Sequence, residues 1–513
     1  MSAGWNGKKQ KILWLVVVTI SIMVPVLIFE TNVVVIDFSA VRSSVNTFKL
    51  EPSMEETNYS FDITLLLNVS SDSGLVTENA WTTDSDSLST IRFHDLTLFP
   101  IPFDWCPQKW SNYTSMVSNR ADKLINCDDL IAGDKTAIEK AKSWKPPCSY
   151  SDQDMATIAC DCSLLKTLFH FETEPMSEEE YNYPLSFILV VEKNVEQVAR
   201  LLASIYQPQN LYCITYDEHS SLEFKRAIRC LKKCFDNVIT PLRHVEIFWA
   251  DISILDATMA CMRRLVNAHK NHAWKYVQIL SWNDLPLKTN LEMVKIFKIL
   301  NGSSDSELTY GQADRFRKYN YRGGPDQTKL GVPRPIPPEG LTMYKGSFAV
   351  SLPRDLSEYM VHDPVAKRLL AYSRPVWAPE EQFWSTLIHN PNLNHTALFP
   401  GTCLHYYQLE GRTKDWISRF QIWNGNDCAG QMVSGSCCFG VGDMKMLVAQ
   451  RHLIGHKFYA DFQPALWYCM LKWHHDKTYN ASIASNYALN ITYYENLPAV
   501  RYQKMSNRSE FLC

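Results

Sequence analysis

The chain has 513 residues, 46% of them hydrophobic and 20% charged, an ordinary globular composition with material for a large core. Its formal net charge of −3 lacks the basic excess of a nucleic-acid surface, so any basic site for an anionic ligand must be local. Length alone allows roughly two to four domains.

Ile12 to Phe29 reads ILWLVVVTISIMVPVLIF, without a charge. An uncharged run of about 18 residues matches the thickness of a bilayer core. Lys8, Lys9 and Lys11 precede it, while Glu30 and Asp37 follow, so the basic flank is expected in the cytosol and the remainder in the lumen. A cleaved signal peptide is the competing reading, but its apolar region is shorter and ends on small residues, whereas Leu27-Ile28-Phe29 are bulky. The expected organisation is a cytosolic tail over 1–11, a membrane-spanning signal-anchor over 12–29, a lumenal stem over 30–105 and a folded body over 106–513. The 15 cysteines suit an oxidising compartment. Asn58, Asn68, Asn112, Asn301, Asn394, Asn480, Asn490 and Asn507 stand in N-x-S/T sequons, all after the anchor.

From about Asn32 to Pro107 the chain is rich in Ser, Thr, Asn and acids, and only short stretches such as Phe61 to Leu67 alternate like strands. After Pro184 the pattern changes. Leu185 to Val191 is a continuous apolar run, as in a strand buried on both faces. Asn194 can cap a helix whose Val195, Val198, Leu201, Leu202 and Ile205 share a face. A strand over Leu211 to Tyr216, a helix over Leu222 to Lys233, a short strand over Val245 to Trp249 and a helix over Ser253 to Ala268 follow. Tyr276 to Leu280 reads as another buried strand and Leu291 to Leu300 as a helix. This alternation predicts an α/β fold with a doubly wound, mostly parallel sheet flanked by helices. Ligands bind such sheets beyond the carboxyl ends of the strands, which singles out Asp217 and Asp284; either acid could equally cap the next helix.

The stretch YPLSFILVVEKNVEQVARLLASIYQPQNLYCITYD (Tyr183 to Asp217) resembles the core-2/I-branching β-1,6-N-acetylglucosaminyltransferases. So do CFDNV (Cys234 to Val238), WKYVQILSWNDLPLKTN (Trp274 to Asn290), APEEQFW (Ala378 to Trp384) and CCFGVGDM (Cys437 to Met444), in the same order. The resemblance implies a type II Golgi membrane protein with a GT-A-like fold. It also implies an inverting transferase that takes its sugar from a UDP-sugar, without a metal ion or other cofactor, and places it on a glycoprotein O-glycan.

Inverting transfer needs a base for the acceptor hydroxyl, stabilisation of the departing diphosphate and alignment of both sugars. By the resemblance, Glu381 is that base; by its local sequence, Pro379-Glu380-Glu381 is equally an acidic helix start. Lys457 matches a lysine that contacts the diphosphate. Val190, Glu192 and Asp217 match the nucleotide pocket, with Asp217 suited to hydrogen bonding ribose or uracil. Trp423 matches a tryptophan that stacks on sugar, and Glu307 and Arg315 match acceptor contacts. The chain departs from the family pattern at Ser434, commonly arginine; at Glu192, commonly histidine; and at Gly425, commonly tyrosine. Ser434 removes one cation from the leaving group, with Arg451 or Lys445 as candidate substitutes. Glu192 puts like charge near the diphosphate. A metal would want an Asp-x-Asp after a central strand; Trp282-Asn283-Asp284 carries one acid there, and Asp84-Ser85-Asp86 sits in the polar stem.

The resemblance also implies disulfides Cys127–Cys469, Cys162–Cys234, Cys213–Cys261 and Cys428–Cys437. The seven remaining cysteines are odd in number, so at least one is free or intermolecular. His452 and His456, four apart, and His474-His475 lack the surrounding ligand spacing of a zinc site. Two alternatives stay open beside acetylglucosaminyl transfer: the same fold using UDP-glucose or UDP-xylose, and a catalytically silent lumenal glycan-binding homologue.

Overall fold

The computed structural model describes four short N-terminal strands and then residues 125–146, 148–268, 271–309, 323–324, 328 and 330–513. Strands β1 (Val26–Phe29) and β2 (Asn32–Val35) pair antiparallel, as do β3 (Lys49–Glu55) and β4 (Asn58–Thr64), all within one compact unit, 1–91. Most of the expected anchor lies outside the described residues. Its last four residues, Val26–Phe29, are extended rather than helical. Among the described residues no helix is long and apolar enough to cross a membrane.

The second unit, 92–513, is built on a five-stranded sheet. Its strands are β5 (Ser186–Val191), β6 (Leu211–Tyr216), β7 (Val238–Ile239), β8 (Tyr276–Ser281) and, after the short β9 (Asp284–Pro286), β10 (Ser351–Pro353). Their order is β10-β8-β5-β6-β7; only the edge strand β10 runs antiparallel. The predicted strand Val245–Trp249 is not one: Val245 alone makes a bridge, to Asp217, and β7, which starts on the last residue of the CFDNV segment, takes the edge.

The unbroken apolar sequence of β5 follows from burial on both faces. Phe187, Leu189 and Val191 pack with the helix Val195–Ile205 on one side, while Ile188 packs with the helix Ile252–Arg263 on the other. From β5 the chain winds outward through β6 and β7, then crosses back to place β8 on the other side of β5. A crevice opens outside the strand ends at such a reversal. Here the ends of β5 and β8 meet, with the Trp282 amide donating to the Val190 carbonyl at 3.1 Å.

Six described disulfides staple this body: the four implied pairs together with Cys160–Cys230 and Cys403–Cys513. Cys127–Cys469 spans 342 residues and ties the first described helix to the helix Pro464–Tyr479. A cross-link over so long a loop contributes a few kcal/mol, chiefly by restricting the unfolded chain. Cys148 is also disulfide-bonded, and the odd thiol among the described residues is the buried Cys438. Asn301, Asn394, Asn490 and Asn507 are exposed and Asn480 is half-buried; Asn68, Asn112 and the Asn58 side chain lie outside the described residues.

Candidate active site

Glu381 lies in the first turn of the helix Glu380–Ile388, so the helix-start reading of Pro-Glu-Glu is correct as far as it goes. Ala378, at φ 50°, turns the chain into that helix, and its amide donates to the Ala250 carbonyl at 2.7 Å. The Glu381 carbonyl accepts the Gly346 amide at 2.7 Å. Gly346 is the residue that permits this approach: a Cβ there would fall 2.4 Å from the Glu307 carbonyl oxygen and 2.9 Å from Ser385 Cβ. A Thr309–Lys345 backbone bridge completes the junction, which gathers Glu307, Lys345 and Glu381 from three segments. Lys345 Nζ stands 3.6 Å from Glu381 Oε2, the two side chains 13% and 21% exposed.

Behind this pair is Arg419, buried, which the sequence did not single out. Asp305 Oδ2 accepts from the Ile417 amide at 2.8 Å, the Ser418 amide at 2.7 Å and Ser418 Oγ at 2.6 Å, fixing the chain just before it. Arg419 donates to Ser347 Oγ and Gln421 Oε1, both at 3.2 Å, and approaches Asp284 Oδ1 at 4.0 Å; its buried Nε has no hydrogen-bond partner. Burial lowers the Arg419 pKa, opposed by the carboxylates of Asp284, Glu307, Glu381 and Glu380. Burial, with Glu381 adding to it, raises Glu307 above the usual carboxylate range, against the pull of Lys345, Arg419 and Lys414. Lys414 donates to the Ser306 carbonyl at 2.7 Å, and burial lowers its pKa.

Asp284 is fully buried. Its Oδ1 accepts His456 Nδ1 at 2.7 Å and its Oδ2 accepts the Ser281 amide at 2.7 Å. Burial alone would raise its pKa, but His456, Arg419 and that amide together hold it below the ordinary value. His456 is neutral, pushed down to about 4 by burial and by Arg419. The pair is set by strand register, since β13 (Ile454–His456) runs antiparallel to β9 with His456 opposite Asp284. Before it come β11 (Gln431–Val433) and β12 (Ser436–Cys438), a hairpin whose turn is Ser434-Gly435.

Lys457, one residue past β13, is buried and donates through Nζ to the Val433 carbonyl at 2.6 Å. Burial, reinforced by Arg419, lowers its pKa. Ser434 is exposed at φ 49°, on the turn adjoining that carbonyl. Neither candidate substitute for its missing charge is near at hand: Arg451 lies over the Tyr493 ring at 4.4 Å, and Lys445 donates to the Ala132 carbonyl. Arg419 is the cation whose field Lys457 feels.

Asp217 closes β6, with Oδ1 accepting the amides of Ile247 at 2.9 Å and His219 at 3.0 Å. Glu192 is exposed just past β5, with Lys193 Nζ 3.7 Å from its carboxylate and 5.0 Å from the centre of the Trp282 ring. Trp423 is 55% exposed, which rules against simple core burial. Arg315 lies outside the described residues. Among the described residues, the one group of three clustered metal-type ligands is Cys428, Cys437 and Asp443, and its two sulfurs are joined in a disulfide.

Residues 185–448 match the family model described as Core-2/I-Branching enzyme. The chain belongs to the core-2/I-branching family. It is a glycosyltransferase of that family, in mixed α/β architecture with a mostly parallel sheet. It is 28% identical over 356 residues to a beta-1,3-galactosyl-O-glycosyl-glycoprotein beta-1,6-N-acetylglucosaminyltransferase 3 of Rattus norvegicus, covering 66% of this chain and 80% of the relative. The Homo sapiens protein of that name is 28% identical over 359 residues, with the same shares covered. Among solved structures, the mannosyltransferase Ktr4p of S. cerevisiae in complex with GDP aligns at 13% identity over 54% of this chain and 83% of its own, with a TM-score of 0.25, too low to bear on fold or chemistry.

Proposed function

We propose that this family member is an inverting, metal-independent transferase. It moves N-acetylglucosamine in β-1,6 linkage from a UDP-sugar to a glycoprotein O-glycan, on a GT-A-like fold anchored in the Golgi membrane by residues 12–29. The observation that carries this reading is the pairing of a half-buried carboxylate, Glu381, with Lys345 at one end of a charge cluster that has Lys457 at the other. Glu381 takes the proton of the acceptor hydroxyl as its oxygen bonds the anomeric carbon. The bond from that carbon to UDP breaks on the opposite face, and its electron pair leaves on the diphosphate. Lys457 and Arg419 offset that charge in a site largely withdrawn from water, where fixed cations act most strongly. Asp217 and Val190 suit the nucleotide side, and Trp423 and Glu307 the acceptor.

Metal independence is supported by the state of Asp284, whose two oxygens are engaged by His456 and the Ser281 amide. The relatives' names support the sugar and the linkage. Another UDP-sugar, such as UDP-glucose or UDP-xylose, is the one second reading, because relatives at 28% identity do not fix the donor. The full-length chain in mild detergent, offered several UDP-sugars and a mucin-type disaccharide with EDTA present, tests both. Transfer of N-acetylglucosamine supports the first reading and transfer of another sugar alone the second. Loss of transfer in EDTA overturns metal independence, and failure with every donor overturns the enzyme assignment.

A further inference from the structure

His456 adjoins Lys457 in the chain and Asp284 in space, yet the transfer as proposed gives it no task. Its backbone is fixed on both sides. The His456 amide donates to the Phe420 carbonyl at 2.9 Å, and the Phe458 amide donates to the Asn283 carbonyl at 2.8 Å. Register places His456 opposite Asp284, and Nδ1 then donates to Asp284 Oδ1 at 2.7 Å.

That hydrogen bond decides what the ring offers. An ionised carboxylate only accepts, so the proton of a neutral imidazole sits on Nδ1, and Nε2 on the far edge keeps a lone pair. Burial, with Arg419 and Lys457 adding to it, holds the ring neutral against the pull of Asp284. Asp284 is wholly buried, whereas the His456 side chain is 13% exposed. The ring therefore reaches the crevice beyond β8 with the acid behind it.

A fixed lone pair selects among ligands. Diphosphate oxygens have no proton to give at neutral pH, so Nε2 does not suit the diphosphate. A sugar carries hydroxyls and, when N-acetylated, an amide N–H, and all of these are donors. The setting agrees. Arg419 feels the charge of Glu381, the proposed base, and stands 4.0 Å from Asp284; Lys457, the proposed diphosphate partner, is the residue after His456. A donor sugar must span the interval between base and diphosphate.

We infer that His456 Nε2, aimed by Asp284, accepts a hydrogen bond from a hydroxyl or the amide N–H of the donor sugar. His456 is then a donor-specificity residue, and Asp284 its positioning residue. The inference rests on this crevice being the UDP-sugar site, as proposed above.

The test is calorimetric titration of the full-length chain in mild detergent with UDP, UDP-N-acetylglucosamine and UDP-glucose. The proteins are wild type, His456→Asn, His456→Gln and Glu381→Gln. An Asn amide can stand where Nδ1 stands and keep the bond to Asp284, while the Nε2 edge is lost. His456→Asn is expected to bind UDP-N-acetylglucosamine about tenfold more weakly, with UDP affinity and melting temperature unchanged. His456→Gln, whose amide oxygen can reach the Nε2 position, should recover most of that loss. An equal loss with UDP-glucose assigns a hydroxyl shared by the two sugars; a loss confined to UDP-N-acetylglucosamine assigns the amide N–H. Equal weakening of UDP and UDP-sugars, or no weakening of either, overturns the inference, because a structural or diphosphate-facing imidazole does not tell a sugar from its absence. Wild type that binds neither UDP nor a UDP-sugar fails the donor-site reading and this inference with it. Glu381→Gln that still transfers fails the base alone and leaves the binding difference standing.

Discussion

The ammonium of Lys457 donates to the Val433 carbonyl at 2.6 Å, which ties the lysine proposed to face the leaving group to the hairpin turn that carries Ser434. Donor binding should therefore be sensitive at both places. Lys457→Met is expected to lower kcat/KM by about 10²–10³, the usual cost of removing one preorganised charge partner. Ser434→Arg, at an exposed position beside the same carbonyl, should lower donor KM several-fold. Steady-state kinetics with varied UDP-sugar checks both; an unchanged KM in Ser434→Arg would mean that the turn does not face the diphosphate.

Arg419 and Asp284 act as one buried unit with His456. Arg419→Gln should cost about 3 kcal/mol of stability, since a buried carboxylate loses one of its compensating charges. Asp284→Asn alone should also destabilise, and the double variant should lose less than the sum of the two. Urea unfolding of the four proteins measures the coupling, which additive losses would rule out.

Acid should weaken the fold through its histidines. His244, His452 and His456 are pushed down to about 4 and His474 to about 3, in each case mainly by burial, so all four are neutral in the folded chain at pH 6. An unfolded histidine binds its proton near 6.5. Between about 6.5 and 4 the unfolded state holds more protons, so stability falls as pH falls, by up to about 1.4 kcal/mol per pH unit for each such group. The melting temperature should drop over that window and be flat from pH 7 to 8 as far as histidines contribute. His474→Gln should make the acid slope shallower by one proton.

The alternation of Leu185 to Leu300 was enough to place the three central strands, their helices and the crevice end, because buried parallel strands announce themselves as apolar runs; the edge strand Ser351–Pro353 lies beyond it. Val238–Ile239 escaped notice because two residues carry no period, and Val245–Trp249 misled because its apolar spacing falls in a loop held to Asp217 through the Ile247 amide. The four family disulfides form, and so do two pairs that spacing alone could not choose, Cys160–Cys230 and Cys403–Cys513. Glu381 and Lys457 were legible only through the order of motifs, whereas Asp217 also stood out at the end of a predicted strand. Lys345 and Arg419 were not legible at all. Each is a single charged residue whose relation to the acids depends on contacts across long stretches of chain: Gly346 against Glu307, and Asp305 against Ser418.

Glu381 as the transferring base is the central claim, and Glu381→Gln tests it most directly, since the amide keeps the shape of the side chain and loses the proton-accepting charge. Transfer from UDP-N-acetylglucosamine to an O-glycan disaccharide by the full-length protein, beside UDP binding by the same preparation, is the decisive measurement. The expected result is a fall in kcat of about 10²–10⁴ with UDP affinity and melting temperature close to wild type. Transfer within a few-fold of wild type would contradict the account.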